Sequence, residues 1–364
     1  TVCLRPCVVT KGVPAWSCNS SLMHALGVAR TLAVSSCKGG VGKSSVALRL
    51  ALALRDRGLQ VGLVDADVHG PSLPAMLPPL DCVCLKPNNL VDGRVRPLKA
   101  LGLECISWGF FPQKRTHYKD SEATVLRGQW AARIAVQMAL GTQWGSAAGR
   151  PVDVLLFDMP PGTSDVQMSL LNSLPLTAAV TVSTPSPLAL CDVKKGIEML
   201  AQVGVPLVAL VENFAWLEAN VTQTNVCTAL QQWLPYMPHD KAADVQQVIE
   251  QISRLSLPDV HTGKLIPFGE STLTDLLDLA RQSFSLAQGF RLPLTSEMAA
   301  TTLNKQGRCS ENTFALLAEH VHKQLLQFQV VAQQKNSLAT GDPSIMQFQS
   351  WPRFLYRIKH LHYA

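Results

Sequence analysis

Residues 37–45 read Cys-Lys-Gly-Gly-Val-Gly-Lys-Ser-Ser, set between an apolar run, Thr31–Ser35, and an apolar-periodic stretch ending near Arg57. Such a run is a strand, a glycine-rich loop and a helix, and the loop is a phosphate cradle. Gly39, Gly40 and Gly42 let backbone N–H groups, with those of Val41 and Ser45, curl around phosphate oxygens. The helix that follows aims its positive end at the same point. Lys43 can reach the outer phosphates, and the Ser44 hydroxyl can ligate Mg²⁺. The usual pattern, G-x-x-x-x-G-K-[ST], opens with glycine where this chain has Cys37, and Lys38 adds a second cation ahead of the paired glycines.

That junction needs a sheet to hold it. Apolar runs recur at 31–35, 60–65, 103–107, 152–158, 178–183 and 207–212, with helical patterns at 43–57, 124–140 and 187–202. Strands alternating with helices of this length predict a doubly wound, mostly parallel α/β sheet flanked by helices. Pro, Gly and Asn dominate between Pro78 and Leu101, where short alternating pieces at Cys82–Leu85 and Arg94–Arg96 predict a surface hairpin. Helices are expected over 241–254, 271–286 and 310–335. The chain divides into a leader at 1–29, a nucleotide-binding domain at 30–335, and a polar linker with a basic, aromatic tail at 336–364.

Three strand ends deliver polar groups to the edge where ligands bind in such sheets. Leu63-Val64-Asp65-Ala66-Asp67 carries two carboxylates; Asp65 points the same way as Asp67 if the strand persists, and Asp67 can hold Mg²⁺ through water or orient an attacking water. Val154–Phe157 is a buried strand that ends in Asp158, a carboxylate for the metal. Pro160-Pro161-Gly162 then forces a sharp loop that could sense the γ-phosphate. Val208–Glu212 leads to Asn213, whose amide can pair with a base edge.

Composition limits the remaining classes. The 364 residues are 47% hydrophobic and 16% charged, enough for a large core. No unbroken apolar run is long enough to span a membrane, and a net charge of +6 is too mild to imply nucleic acid. The ten cysteines lie at 3, 7, 18, 37, 82, 84, 105, 191, 227 and 309, with no C-x-x-C pair, and read as reduced thiols in a chain that is not secreted. Cys82, Cys84, Cys105 and Cys191 are expected in the core, and Cys227 nearer the surface. No acidic residue precedes Asp56 while Arg5, Lys11 and Arg30 do, which is compatible with an organelle transit segment and equally with an ordinary leader. Trp351–Ala364 mixes basic and aromatic residues, as a docking terminus or an RNA or membrane contact would.

The phrases CKGGVGKSS, DADVHGPS, FDMPPGTSDVQMSL, and STPSPLALCDVKKGIEML followed by VENF occur in that order. Together they resemble the Mrp/ApbC-type P-loop ATPases, the iron–sulfur cluster carriers, within the MinD/ParA group that bears the extra lysine. The match runs from about residue 30 to about 308, and Phe290–Glu297 is similar to that family's late strand and base-proximal loop, which brings in Pro293. The resemblance implies a SIMIBI-like P-loop NTPase using ATP and Mg²⁺. In it Lys43 contacts the β- and γ-phosphates, Ser44 binds Mg²⁺, Asp158 supports the metal, Asp67 places water and Asn213 reads adenine. It implies a homodimer in which Lys38 crosses to the partner copy's nucleotide. A [4Fe–4S] cluster would pass to apo recipient proteins with the help of assembly factors, in the mitochondrion or, second, the cytoplasm.

Two departures are visible. The family's C-P-x-C soon after the Asn is replaced by Ala215–Val226, with Cys227 the single cysteine of that region, and the expected Arg-Gly-Pro near residue 130 reads Arg127-Gly128-Gln129. A cluster held by four thiolates shared between two copies then needs another donor beside Cys227, or is absent. Two other readings stay open: a MinD/ParA-like positioning ATPase on membrane or nucleic acid, and a nucleotide-binding scaffold that carries no cluster.

Overall fold

The computed structural model describes residues 27–77, 90–91, 94–111, 128–145, 149–163, 165–221, 227, 231, 239–254, 261–265, 273–293 and 312–335. Its strands are β1 (Val28–Ser35), β2 (Val61–Asp65), β3 (Leu90–Val91), β4 (Arg94–Val95), β5 (Leu98–Ala100) and β6 (Leu103–Ser107). They continue with β7 (Val152–Asp158), β8 (Ala178–Ser183), β9 (Leu207–Glu212), β10 (Leu217–Val221), β11 (His261–Leu265) and β12 (Gln288–Arg291). The helices are α1 (Lys43–Asp56), α2 (Leu73–Met76), α3 (Gly128–Leu140) and α4 (Asp165–Ser173). After them come α5 (Pro187–Gln202), α6 (His239–Arg254), α7 (Leu273–Ser283) and α8 (Asn312–Lys335).

Eight strands form one sheet in the order β12-β9-β8-β1-β7-β2-β6-β5, parallel except where β5 folds back on β6. The chain first moves outward from β1 to β2 and β6. It then returns to insert β7 beside β1 and continues on the other side through β8, β9 and β12. The central strands are apolar without alternation because both faces of the sheet are covered. Leu32, Ala33 and Val34 of β1 and Val154, Leu155 and Leu156 of β7 are all fully buried. Helix α1 lies between the sheet and α8, so it is buried nearly all round, which explains a sequence that is apolar from Val46 to Leu54 except for the buried Arg49. Right-handed crossovers put α3, α4 and α5 on the opposite face, where α3 packs on α4, and α5 on α7.

The doubly wound sheet stands where the sequence predicts it, and all six expected strands form, β1 starting three residues earlier at Val28. The sheet therefore takes up the last residues of the expected leader, while residues 1–26 and the tail at 336–364 lie outside the described residues. Helices α6, α7 and α8 fall on the three late helical patterns, and α3 on the end of the 124–140 pattern. The expected hairpin is seen as β3 paired antiparallel with β4; its Cys82–Leu85 piece lies outside the described residues. Helix α4 and the pair β10–β11 are additions that periodicity did not separate. Cys105 is buried as expected, but Cys191 is exposed: it lies on the outer side of α5, which a periodic sequence alone assigns to neither face. Among the described residues no helix is long and apolar enough to cross a membrane.

Leu156 sits in the central strand with no exposure. Leu156→Ala should lower the unfolding free energy by about 2–5 kcal/mol, read by denaturant titration. A loss below about 1 kcal/mol would show that this part of the sheet collapses around a cavity.

Candidate nucleotide site

The C-terminal ends of β1, β2, β7 and β9 meet at one edge of the sheet, and the glycine loop follows β1 there. Gly40 and Gly42 have φ near 79° and 78°, in the left-handed region that suits glycine. Side chains added at Gly39 or Gly40 would meet nothing within 4 Å, so the outer side of the loop is open. Gly42 differs: a side chain there would run into the Asn213 amide and lie 3.1 Å from the Phe214 ring. Gly42 caps α1 without a side-chain bond, and its carbonyl accepts the Val46 N–H at 3.0 Å. The first N–H groups of a helix have no intrahelical acceptor, so the end of α1 is suited to an anion.

Inside the loop, Lys43 is buried, and its Nζ donates to Asp158 Oδ1 and, at 3.2 Å, to Ser44 Oγ. Asp65 is a register partner of Asp158 across β2 and β7 and is fully buried. Its Oδ1 accepts the Asp67 N–H at 3.2 Å; its Oδ2 accepts the Leu73 N–H at 3.1 Å and the Ser107 hydroxyl at 2.9 Å. Burial, and then the neighbouring charge of Asp158, push the Asp65 carboxyl up to about 7, against the pull of its donors and of Lys43. Strand β2 ends at Asp65, so Asp67 stands in the following loop, half-buried, with Oδ1 accepting the Gly70 N–H at 3.1 Å.

Ser44, Asp65, Ser72 and Asp158 line a common crevice beneath the loop. The Ser72 hydroxyl is buried there without a partner. Hydroxyls and carboxylates make an all-oxygen donor set, which fits a hard cation such as Mg²⁺. Ser72 and Ser107 were not singled out from the sequence. Ser72 was legible as the last residue of DADVHGPS, whereas Ser107 shows only as the end of a strand.

The other expected residues surround this centre. Pro160 is buried and Pro161 exposed, while Gly162, at φ 94°, donates its N–H to the Ser36 carbonyl at 2.9 Å, tying the Pro-Pro-Gly loop to the base of the phosphate loop. Lys38 is exposed, and its carbonyl accepts the Ser36 hydroxyl at 3.1 Å. Asn213 is fully buried; its Nδ2 donates to the Val41 carbonyl at 2.9 Å, and its Oδ1 is buried without a partner. Pro293 is buried beyond Leu292, whose N–H donates to the Glu212 carbonyl at 2.9 Å. Arg291 bonds Glu212 at 2.8 Å and lies over the Trp216 ring.

Cys37 does not line the crevice; its Sγ packs on Gly196 in α5. Burial, and then the Asp192 charge, raise its thiol to about 11, so it stays protonated near neutrality. Cys227 is half-buried, with Sγ 3.6 Å from Ser253 Oγ and 3.9 Å from the Ile249 carbonyl, both on α6. Among the described residues no three His, Cys, Asp or Glu side chains gather as a metal-ligand group around it.

Comparison with known proteins gives the family and the fold. The sequence profile of the family described as "ParA: NUBPL iron-transfer P-loop NTPase" matches residues 27–232. An iron-sulfur cluster carrier protein of Haemophilus influenzae is 44% identical over 189 residues, covering 52% of this chain and 47% of that protein. A protein of Arabidopsis thaliana, the iron-sulfur protein required for NADH dehydrogenase, mitochondrial, is 41% identical over 190 residues, covering 52% of this chain and 56% of that protein. The chain thus spans about half the length of the curated relatives it matches. Among solved structures, a nucleotide-binding protein in complex with ADP from Archaeoglobus fulgidus superposes with a TM-score of 0.53 at 23% identity, over 81% of this chain and 94% of that one. That likeness establishes the shared fold.

The raised Asp65 carboxyl has a signed consequence for stability. Its contribution is complete below the ordinary carboxylate range near 4 and is lost as pH rises through about 7. In buffer free of nucleotide and Mg²⁺, the native chain should therefore lose unfolding free energy between pH 4 and pH 7 relative to Asp65→Asn. Parallel stability curves for the two would show that Asp65 ionises without penalty.

Proposed function

We propose that this chain, which belongs to the NUBPL iron-transfer P-loop NTPase family of ParA type, is a Mg·ATP-dependent ATPase that binds iron–sulfur clusters and passes them to recipient proteins. The observation that carries the ATPase part of this reading is the meeting of Ser44, Asp65 and Asp158 in one crevice, with Lys43 bonded to Ser44 and Asp158, behind an open glycine loop. Backbone N–H groups of Gly39 to Ser45 and the end of α1 hold the phosphates. Lys43 exchanges part of its bond with Asp158 for the β- and γ-phosphate oxygens. Ser44, Asp67 and Asp158 would hold Mg²⁺, which when bound would supply positive charge against the phosphates. Asp67, in its half-buried loop, orients the attacking water. Asn213, whose Oδ1 is buried without a partner, and Pro293 would contact the base.

Lys38, exposed at the rim, is suited to reach the nucleotide of a second copy, where such a cation is worth about 10³–10⁵-fold in rate. The Gly162–Ser36 bond makes Pro160-Pro161-Gly162 the segment that responds when the phosphate loop changes occupancy. The cluster is cargo, delivered to apo proteins together with assembly factors, and the mitochondrial relative supports that compartment ahead of the cytoplasm. With β1 beginning at Val28, the nucleotide domain runs from there to about 335, the residues before it would be a leader, and 336–364 a linker and tail. A second reading, a nucleotide-binding scaffold without cluster, is favoured by the single Cys227 docked on α6.

Lys43→Ala should abolish ATP binding in a fluorescent-nucleotide titration; retained affinity would refute the loop assignment. Lys38→Ala should keep affinity and lose at least about a hundredfold in turnover; unchanged hydrolysis would remove the cross-copy role. Anaerobic reconstitution should give stoichiometric iron and sulfide with broad visible absorption that Cys227→Ser diminishes. Failure of the native chain to take up iron and sulfide would establish the scaffold reading.

A further inference from the structure

Asp65 is a fully buried carboxylate whose two oxygens take three donors from two segments: the Asp67 N–H, the Leu73 N–H and the Ser107 hydroxyl. Two of these are backbone groups of the very loop that the carboxylate orders. Ser107 alone comes from the sheet: it is the last residue of β6 and the register partner of Asp65. Its own direction is set, because Ser107 Oγ accepts the Gly109 N–H at 3.2 Å and so turns its hydrogen to Asp65 Oδ2 at 2.9 Å. The turn at Trp108–Phe110 braces the same loop, since a side chain at Gly109 would come within 2.7 Å of Pro74 and 3.4 Å of Pro71. Holding the Leu73 N–H also fixes the preceding residue, Ser72, whose unpartnered hydroxyl faces the crevice with Ser44 and Asp158.

We propose that Ser107 is a positioning residue for ATP hydrolysis: its hydroxyl aims the buried Asp65 carboxylate, which holds the loop from Asp67 to Leu73 in place beneath the phosphates. The proposal rests on the ATPase reading above for its kinetic consequence, and on the hydrogen bonds alone for its structural one. A hydroxyl bonded to a carboxylate is a strong, directional contact. Its loss frees the carboxylate to rotate and loosens both amides, and with them the water-orienting Asp67.

Ser107→Ala should leave ATP affinity within about threefold and lower kcat by about 10–100-fold. Ser107→Thr, which keeps the hydroxyl, should restore most of the rate. In nucleotide-free protein, hydrogen exchange at the Asp67 and Leu73 amides should quicken in Ser107→Ala and not in Ser107→Thr. In an Asp65→Asn background, Ser107→Ala should add no further change in exchange. Equal losses of affinity and rate, an impaired threonine variant, or unaltered exchange at both amides would overturn the proposal. If Ser107→Ala does not fold, Ser107→Cys, which keeps the volume and donates weakly, carries the same comparison. If the native chain hydrolyses no ATP, the ATPase reading fails, and the exchange measurements still decide whether Ser107 orders the loop.

Discussion

The buried bond between Lys43 and Asp158 is the contact on which the rest of the site depends. It joins the first residue of α1 to the last residue of β7, so the glycine loop between β1 and α1 is pinned from below by the sheet. The parallel register then sets Asp65 beside Asp158, placing two carboxylates and one ammonium in a dry pocket. One negative charge is in excess, and burial together with the Asp158 charge raises the Asp65 carboxyl, so Asp65 is where a proton relieves that excess. A buried pair of this kind contributes little net stability against an apolar pair of the same volume. Its value is placement: the lysine is held where phosphates arrive, and the surplus of oxygen donors suits a divalent cation.

Placement of this precision comes from the sheet. Asp65 has Asp158 on one side and Ser107 on the other as register partners, so three polar strand ends stand in a row. A slip of one residue in β2 would turn Asp65 to the other face and take the whole row apart. The apolar runs Leu32–Val34 of β1 and Val154–Leu156 of β7, buried on both faces, hold that register by packing. The Gly162 bond to Ser36 and the Asn213 bond to Val41 extend the same logic to the loop itself, gripping it at its start and at its middle.

Much of this was legible in the sequence, for identifiable reasons. Gly39 to Ser45, Asp65, Asp67 and Asp158 follow apolar runs, and in a parallel sheet the end of such a run has one address. Ser107 was hidden because a serine after Leu103–Ile106 looks like any strand terminus; only register shows what it faces. Asn213 was legible as a strand end, but its link to Val41, 172 residues earlier, is a matter of folding. Helix α4 was obscured by the Pro-Pro-Gly ahead of it, and β10 and β11 by polar sequences that pair with each other and not with the core. Cys191 was misjudged because helical period fixes a face only relative to neighbours, and the neighbour of α5 is α7, far along the chain.

Cys37 occupies the place where phosphate loops of this kind usually begin with glycine, and its sulfur rests on Gly196 in the middle of α5. A mid-helix glycine is costly by itself, about 1 kcal/mol relative to alanine. Here the glycine makes room for the sulfur, so the space lost by one position was recovered at another 159 residues away. The two positions are therefore coupled in space: any side chain at 196 would collide with the Cys37 sulfur, so the loop residue and the helix residue constrain each other's size.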